Sequence, residues 1–372
     1  MICRVVVILY LLPACAWAAE VSGLYEAEVQ VFSQKREERA TAMVSALAEV
    51  LTKVSGRRDA NLIRGVAQAT RQPAKFLQQY RYRDLTEAER VALFPPGLET
   101  EDAAAAHESQ KDAQMVYFQF DKAAVDKVLR DNNLTVWGAT RPATLVWLAV
   151  QDETERYLVG SEAEEPVRQM LTREAQRRGM SLLLPLMDLE DQIALKFADV
   201  WAGFREPLLK ASARYRTEAI LVGRLYRGVG GEWQGQWSLL EGEQSRSWTS
   251  DGVLMAEVVD QGVAGAIEIL AAHYAPVAGQ QQEGLLPMVI TGVRNLEDYS
   301  RVSKYLQSLQ QVSRVQLAKV EADRLSFDLE IKGGAEAVAQ TIALGNVLVS
   351  QPAPAGGDVL TWMQTQVYQL LP

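Results

Sequence analysis

The two cysteines of this chain lie at positions that limit how its fold can be held together. Cys3 and Cys15 both fall within an N-terminal segment that has the pattern of an export signal. If that segment is removed after Ala18, the remaining chain has no cysteine and can form no disulfide. We therefore expect a fold that buried apolar surface stabilises. Most of the 372 residues remain after cleavage, which is enough chain for two or more hydrophobic cores.

The export signal has its three parts in the usual order. Arg4 supplies the positive charge, Val5 to Leu12 is a short apolar run, and Ala16-Trp17-Ala18 supplies the small residues of a cleavage site. The apolar run is too short for a membrane anchor, which needs about 20 apolar residues to cross about 30 Å of hydrocarbon. The sequence therefore predicts a signal peptide over residues 1–18, cleavage after Ala18, and a periplasmic protein with no transmembrane helix after processing.

A second mode of processing stays open in the same segment. Leu12-Pro13-Ala14-Cys15 resembles the lipobox of bacterial lipoproteins, in which a Leu and two small residues precede the lipidated cysteine. Pro13 departs from that pattern. The alternative prediction is an outer-membrane lipoprotein that begins at Cys15.

The charge balance argues against one class of partner. The chain has 38 basic and 47 acidic residues and a formal net charge of −9. Such a chain has no electrostatic basis for binding nucleic acid, and no polybasic segment indicates an anionic lipid surface. We expect its partners to be other envelope proteins.

Changes of pattern divide the mature chain into three units. They are a first unit at 19–138, a second at 139–275, a Gly/Gln/Pro linker at 276–284 and a third unit at 285–372. The first begins with strand alternation around Tyr25–Val31 and a long amphipathic helix that Gly56 is placed to end. The acidic stretch from Asp84 to Gln114 is predicted to be helix-turn material or a mobile loop. The second unit contains a continuous apolar strand at Thr144–Val150 and then a helix and a hairpin, which indicates a mixed sheet with helices packed on it.

The third unit has the clearest pattern. Leu325, Phe327, Leu329 and Ile331 alternate with polar residues, and the predicted element order is βαββαβ, with the last strand in 347–349 or in 360–368. This order is that of the ferredoxin-like motif. The predicted fold class is therefore α+β, built from several sheet-and-helix modules with a ferredoxin-like C-terminal unit. That motif hosts many functions and names none.

Residue types that carry catalysis are sparse. His107 and His273 are the only histidines and belong to different units, although a Ser-His-acid triad would need one of them. No His or Cys cluster has zinc-ligand spacing, and no phosphate-binding loop is recognisable. The acids of Asp188-Leu-Glu-Asp191 suit the first turn of a helix. The sequence predicts no catalytic, cofactor-binding or metal-binding residue, no cofactor, and a protein that is not an enzyme.

One candidate binding site follows the long helix of the first unit. Arg57, Arg58 and Asp59 come directly after Gly56. The arginines either bond the last carbonyl groups of the helix or present a guanidinium pair to an anion or to a carboxylate of a partner.

The second candidate is aromatic. Trp233, Trp237 and Trp248 lie on two neighbouring predicted strands of the middle unit. They either pack in the core or form an exposed patch for a partner.

Several segments, in order along the chain, resemble a bacterial family. They are VSGLYEAEV (Val21–Val29), the alanine-rich helix, VSGRRD (Val54–Asp59), FLQQYRYR (Phe76–Arg83) and RPATLVWLAV (Arg141–Val150). With the exported start, they identify the chain as a member of the family of domain of unknown function 2066. That resemblance covers most of the chain, brings no catalytic residues and implies an uncharacterised envelope protein.

The middle unit resembles a second type of domain. An apolar strand, a helix and then ARYRTEAILVGRLYR (Ala213–Arg227) with a hairpin after it look like the amino-terminal domain of the translocation protein TolB. Related domains occur in outer-membrane lipoproteins that activate partners, so the resemblance implies a protein-binding module. The first unit is similar at the level of fold to the amino-terminal domain of flagellar assembly proteins.

The function that these observations favour is that of a non-enzymatic periplasmic protein-binding or envelope-assembly factor, which would use the edges of its sheets. Two alternatives stay open. A cell-wall or sugar hydrolase would need two opposed carboxylates in one pocket. A small-ligand sensor would need a deep apolar pocket with Arg57 or Arg58 at its rim.

Overall fold

Strands and helices alternate along nearly the whole of the chain for which a structure can be described. The computed structural model describes residues 21–87, 89–90, 112–152, 155–162, 166–275, 284–309, 311–321, 323–332, 334–351 and 366–371. The predicted signal peptide and both of its processing sites lie outside these ranges. So do most of the loop predicted between Asp84 and Gln114 and most of the linker predicted at 276–284.

The first unit is a three-stranded antiparallel sheet with helices on one face. Its elements are β1 (Glu26–Val31), α1 (Arg36–Ser55), α2 (Arg64–Thr70), β2 (Leu77–Asp84), β3 (Gln114–Phe120) and α3 (Lys122–Asp131), with short 3-10 helices at Ala60–Leu62 and Pro73–Lys75. The strand order is β1-β3-β2, so β1 and β2 both lie at edges. Alternate residues of β3, namely Val116, Phe118 and Phe120, are buried against the apolar stripe of α1. The other face of the sheet carries mostly polar side chains.

The end of α1 confirms the predicted helix stop. Gly56 has φ +69°, and its N–H donates a hydrogen bond of 2.9 Å to the carbonyl of Thr52. A left-handed residue at this position is the usual way to end a helix, and glycine adopts it without a steric penalty from Cβ.

The second unit is a mixed sheet with helices on both faces. Its elements are β4 (Thr144–Gln151), β5 (Arg156–Leu158), α4 (Pro166–Arg178), β6 (Leu182–Leu183), α5 (Leu189–Ala194), α6 (Phe197–Ala202), α7 (Arg205–Ser212), a 3-10 helix at Ala213–Tyr215, β7 (Ala219–Arg227), β8 (Trp233–Glu241), β9 (Gln244–Gly252) and α8 (Met255–Tyr274). The strand order is β5-β4-β7-β8-β9, with β6 paired to the start of β4. Because β4 pairs in parallel with β7 and is covered on both faces, every residue of β4 except Gln151 is buried.

Two glycines let α8 approach the sheet closely. A Cβ atom on Gly262 would lie 2.1 Å from the indole of Trp237, and one on Gly265 would lie 2.5 Å from that of Trp248. Trp237 is held in place by the 2.8 Å hydrogen bond that its Nε1 donates to Ser250 Oγ. The two indoles therefore pack into notches on the helix.

The third unit is a five-stranded sheet with two helices. Its elements are β10 (Gly284–Thr291), α9 (Leu296–Ser308), β11 (Val312–Glu321), β12 (Arg324–Ile331), α10 (Ala335–Leu344), β13 (Leu348–Ser350) and β14 (Gln366–Leu370). The predicted alternation in β12 is confirmed, since Leu325, Phe327, Leu329 and Ile331 are all buried.

The ferredoxin-like assignment of this unit is not confirmed. Two strands follow α10 instead of one, and the strand order is β11-β12-β10-β14-β13. In a βαββαβ motif the strand after the second helix would lie beside β10 and antiparallel to it. Here β14 occupies that position and runs parallel to β10, while β13 is displaced to the edge. The broader prediction, an α+β chain of several sheet-and-helix modules, is correct.

Arg141 joins the first unit to the second. Its side chain is 1% exposed, and all of its hydrogen bonds go to backbone carbonyl groups. The acceptors are the carbonyl oxygens of Lys53, Trp137, Gly138, Arg178 and Gly179. The guanidinium also lies over the ring of Trp137 at 4.2 Å. Burial lowers the pKa of Arg141 to about 9, because the charge loses its hydration and has carbonyl dipoles in place of a carboxylate partner.

Close packing and ion pairs complete this junction. A Cβ on Gly56 would lie 2.5 Å from the side chain of Ala271 in α8 and 3.0 Å from Trp137. Arg58 pairs with Glu268 at 3.5 Å, and Arg177 of α4 pairs with Glu49 of α1 at 3.2 Å. Across the ranges given above, no helix combines the length and the apolar character that crossing a bilayer requires.

Candidate functional site: a cleft at the free edge of β1

The pairing of β1 with β3 determines which backbone groups of β1 point away from the sheet. The N–H of Phe120 donates to the carbonyl of Tyr25, so Tyr25 and every second residue after it bond to β3. The backbone N–H and C=O groups of Glu26, Glu28 and Gln30 therefore point to the free edge. This pattern could not be known from the sequence, because it depends on which strand pairs with β1 and in which register.

Lys53 covers the first of these edge groups. Its Nζ donates a 2.8 Å hydrogen bond to the carbonyl of Glu26 and a 3.4 Å one to that of Gly23. The Lys53 side chain is almost fully buried, and burial lowers its pKa. The carbonyl and N–H groups of Glu28 and Gln30, further along the edge, have no hydrogen-bond partner within the described residues.

A cleft of about 670 Å³ lies beside this edge, between the first and second units. One side is formed by β1 and by the polar face of the sheet, and the other by α4. The lining residues of the sheet and of α1 include Glu26, Glu28, Gln30, Glu49, Lys53, Arg81, Met115 and Tyr117, and those of α4 include Arg168, Gln169, Thr172, Arg173, Gln176 and Arg177. The volume lies in the range of about 300–1,000 Å³ that is usual for binding sites.

Paired charges hold the sheet side of the cleft in place. Arg83 donates to both carboxylate oxygens of Glu28 and to both of Glu89. These charge-assisted contacts, with hydrogen bonds from Thr86, lower the pKa of Glu89 to about 2. One arginine therefore holds both glutamates in fixed positions, and the group of three side chains keeps a net charge of about −1.

Two other arginines of the cleft make no ion pair within the described part of the chain. Arg81 of β2 lies over the ring of Tyr117 at 4.5 Å. Arg173 projects from α4 and is exposed. Guanidinium groups in this situation remain able to bond carbonyl or carboxylate oxygens of an incoming chain.

The predicted site at Arg57, Arg58 and Asp59 lies outside this cleft. Arg57 donates to both oxygens of Asp59, at 2.9 and 2.6 Å, and Arg58 pairs with Glu268 at the junction. The hydrogen bonds to Arg57 lower the pKa of Asp59. The structure thus shows these side chains paired within the protein, at exposed positions on the surface.

The predicted aromatic residues occupy the interface between sheet and helix. Trp233 and Trp237 are 5% and 1% exposed, and Trp248 is partly buried against α8. An exposed patch for a partner would need these rings at the surface. The structure instead matches core packing, the other alternative that the sequence left open.

The acids and histidines that the structure describes show no arrangement for metal chemistry. Asp188 caps α5, and Arg214 bonds both Asp188 and the fully buried Asp191, which lowers the pKa of Asp188 to about 2. His273 lies 3.1 Å from Glu241, and His107 lies outside the described residues. Within those residues, no group of three His, Cys, Asp or Glu side chains is placed to hold a metal ion.

The comparison with known families corrects one prediction. Residues 18–138 match the model of a family described as domain of unknown function (DUF8605). The predicted resemblance to domain of unknown function 2066 is therefore wrong, since the family that matches is a different one. The segments that carried the resemblance are short, and strand and helix patterns of that length recur in unrelated families.

The match covers about a third of the chain and contains all three strands that form the sheet side of the cleft. No curated protein matches the chain. The candidate site thus rests on its geometry.

Proposed function

We propose that this protein is an exported, non-enzymatic binding factor that receives an extended segment of a partner protein along the free edge of β1. The observation that carries the proposal is the set of four backbone groups on Glu28 and Gln30 that have no hydrogen-bond partner in the described part of the chain. These groups lie beside a cleft of about 670 Å³. A strand that adds there would satisfy these groups with main-chain hydrogen bonds, and its alternate side chains would enter the cleft.

A comparison with another edge strand supports this choice. β11 is ten residues long, but its pairing has two register irregularities and it presents Arg314 and Lys319. Bulges and charges are features with which proteins protect an edge from unwanted pairing. The pairing of β1 is regular over its whole length, so β1 has no bulge of this kind.

The experiment starts from peptides selected by display against the purified mature protein. Binding of the selected peptides is then measured by fluorescence anisotropy with the wild type, Gln30→Pro and Gln30→Ala. Proline is tolerated at an edge position whose N–H points away from the sheet. Gln30→Pro removes one donor of the free edge and leaves the β1–β3 bonds in place.

The proposal predicts that Gln30→Pro abolishes binding, while Gln30→Ala, which keeps the N–H, binds nearly as well as the wild type. It also predicts that a bound peptide slows hydrogen exchange at the amides of Glu28 and Gln30. Equal binding by the two variants, or unchanged exchange at both amides, would show that strand addition at β1 is not the mode of recognition.

The periplasmic location is part of the same proposal. It is supported by the signal pattern that ends at Ala18. The intact mass of the protein, purified from the envelope of its host, tests it. A mass that corresponds to a chain starting at residue 19 agrees with the proposal. A mass that corresponds to a chain starting at Cys15 with added acyl chains would show that the protein is a lipoprotein instead.

A further inference from the structure

A second groove lies on the middle sheet, away from the cleft at β1. The helices α5, α6 and α7 pack over β4 and β7, where they bury Trp147, Val222 and their neighbours. Beyond β7, the same face of β8 and β9 carries half-buried and exposed polar side chains. The groove has a volume of about 330 Å³ and is bounded by α6 on one side and by these strands on the other.

The side chains of the groove offer hydrogen bonds with little charge. Its polar lining residues are Arg224, Gln236, Ser238, Ser247 and Thr249. Arg224 is the one charged residue among the described residues that line it, and none of them is a carboxylate. A ligand of this groove would therefore be polar and rich in hydroxyl or amide groups, with no need for a positive charge.

The backbone of the floor is already paired. β8 bonds to β7 on one side and to β9 on the other over its whole length. The floor strand β8 has no free edge for an extended peptide to join, and β9 has its free edge on the side away from β8, so recognition within the groove falls to side chains. This separates the groove from the edge at β1, where backbone groups are unpaired.

An aromatic group forms one wall. The rings of Trp201 and Phe197 stack at 5.3 Å, and the ring of Tyr226 meets Trp201 edge-on at 5.9 Å. Trp201 and Tyr226 are both half-buried. The indole of Trp201 lines the groove beside its polar floor and supplies apolar surface there.

The polar groups beside this wall are held in fixed orientations. Arg224 donates a 2.7 Å hydrogen bond to the carbonyl of Trp201 and a second one to Oε1 of Gln236, whose Nε2 donates to the hydroxyl of Tyr226 at 3.1 Å. An amide group has two N–H donors and two lone pairs. Gln236 therefore keeps one donor and one acceptor for a ligand, in positions that are already set.

We propose that this groove binds a saccharide. A sugar ring has apolar C–H faces, which suit the wall at Trp201, and a rim of hydroxyl groups that donate and accept. The amide of Gln236 and the hydroxyls of Ser247 and Thr249 complement that rim. This inference goes beyond the proposed function and does not depend on it, because the two sites share no residue.

The test begins with an array of neutral and acidic oligosaccharides that is incubated with the labelled full-length mature protein. The tightest binder is then titrated by calorimetry. One variant is the double substitution Ser247→Ala/Thr249→Val, whose side chains are exposed on β9 and leave the core untouched. A second is Trp201→Leu, which keeps an apolar side chain and removes the ring. The matched control is Ser245→Ala, which removes a hydroxyl from the same strand outside the groove.

The expected result is binding of at least one saccharide, with affinity reduced roughly tenfold or more in the double variant, as the loss of one or two hydrogen bonds implies. Ser245→Ala should bind like the wild type. If Trp201→Leu does not fold, the saccharide affinity of the double variant relative to the wild type tests the proposal by itself. The proposal is overturned if no saccharide on the array binds, or if the double variant binds the selected saccharide as tightly as the wild type.

Discussion

The guanidinium of Arg141 donates a 2.8 Å hydrogen bond from Nη2 to the carbonyl oxygen of Lys53. Arg141 precedes the first strand of the second unit, and Lys53 lies in the last turn of α1. The ammonium group of the same lysine bonds the carbonyl of Glu26 at the edge of β1. Lys53 is thus held by hydrogen bonds at both its backbone and its side chain. These two contacts connect the free edge of β1 to Arg141 and so fix its position relative to the second unit.

The first prediction concerns Arg141→Met. The substitution keeps much of the apolar stem but leaves carbonyl groups at the junction without their donor. An unpaired buried carbonyl costs about 1–3 kcal/mol, and the gain from no longer burying a charge offsets part of that sum. We expect the free energy of unfolding to fall by about 2–4 kcal/mol, measured by urea denaturation. Arg246→Met, at an exposed position on β9, should change it by under about 0.5 kcal/mol. Equal losses in the two variants would contradict the assigned role of Arg141.

The second prediction compares two glycines with the same backbone conformation. Gly56 and Gly203 each end a helix at φ +69°. A Cβ on Gly203 would meet nothing within 4 Å, whereas one on Gly56 would lie 2.5 Å from the Ala271 side chain. Gly203→Ala should therefore cost only the left-handed backbone term of about 1–2 kcal/mol. Gly56→Ala should cost about 1–3 kcal/mol more because the junction is overpacked.

Thermal or urea unfolding of the two variants checks this difference directly. Since the conformational term is common to both, the excess loss in Gly56→Ala reports the contact between the units. Equal losses would mean that the junction relaxes at no cost and that the first two units are not closely packed at this point.

Local features of this fold could be predicted from the sequence because each depends on neighbours in the chain. The helix stop at Gly56 and a hairpin in the second unit, formed by β7 and β8, are both observed. The fully buried strand β4 is also observed, since its continuous apolar run allows no solvated face.

Features that depend on long-range pairing could not be predicted in this way. The sequence of β1 alternates as any half-buried strand does, and only its pairing with β3 shows that Glu28 and Gln30 face a free edge. Arg141 carried no signal, because its acceptors are backbone carbonyls that every residue has. In the third unit, the sequence left 347–349 and 360–368 as alternatives for one final strand, and β13 and β14, which overlap these two segments, both form.

The third prediction concerns Gly262 on α8. Alanine is favoured over glycine within a helix by about 1 kcal/mol. The added Cβ would lie 2.1 Å from the indole of Trp237, whose 2.8 Å bond to Ser250 holds the ring in place. Overpacking of a filled core costs about 1–3 kcal/mol, and an overlap this severe should exceed the gain in propensity. We expect Gly262→Ala to lower the free energy of unfolding by about 1–2 kcal/mol.

A double-mutant cycle separates the cost of the contact with Trp237 from the gain in helix propensity. Trp237→Phe removes the part of the indole that the new Cβ would meet, so Gly262→Ala should cost less in that background, by about 1 kcal/mol or more. Unfolding free energies of the four proteins in urea give the coupling. A coupling of zero would mean that the indole does not limit how closely α8 approaches the sheet.

The last prediction is a pH dependence. Hydrogen bonds from Arg83 lower the pKa of Glu89 from 4.5 to about 2. The folded protein therefore binds this proton less readily than the unfolded chain, so the pair contributes stability above pH 4.5. That contribution is lost as the pH falls through 4.5 toward 2. Both side chains are 34% exposed, so the contribution should be under about 1 kcal/mol.

Urea midpoints of the wild type and Glu89→Gln should differ at neutral pH and converge as the pH approaches 2. A difference that stays constant across that range would show that Glu89 acts through its shape and not through its charge.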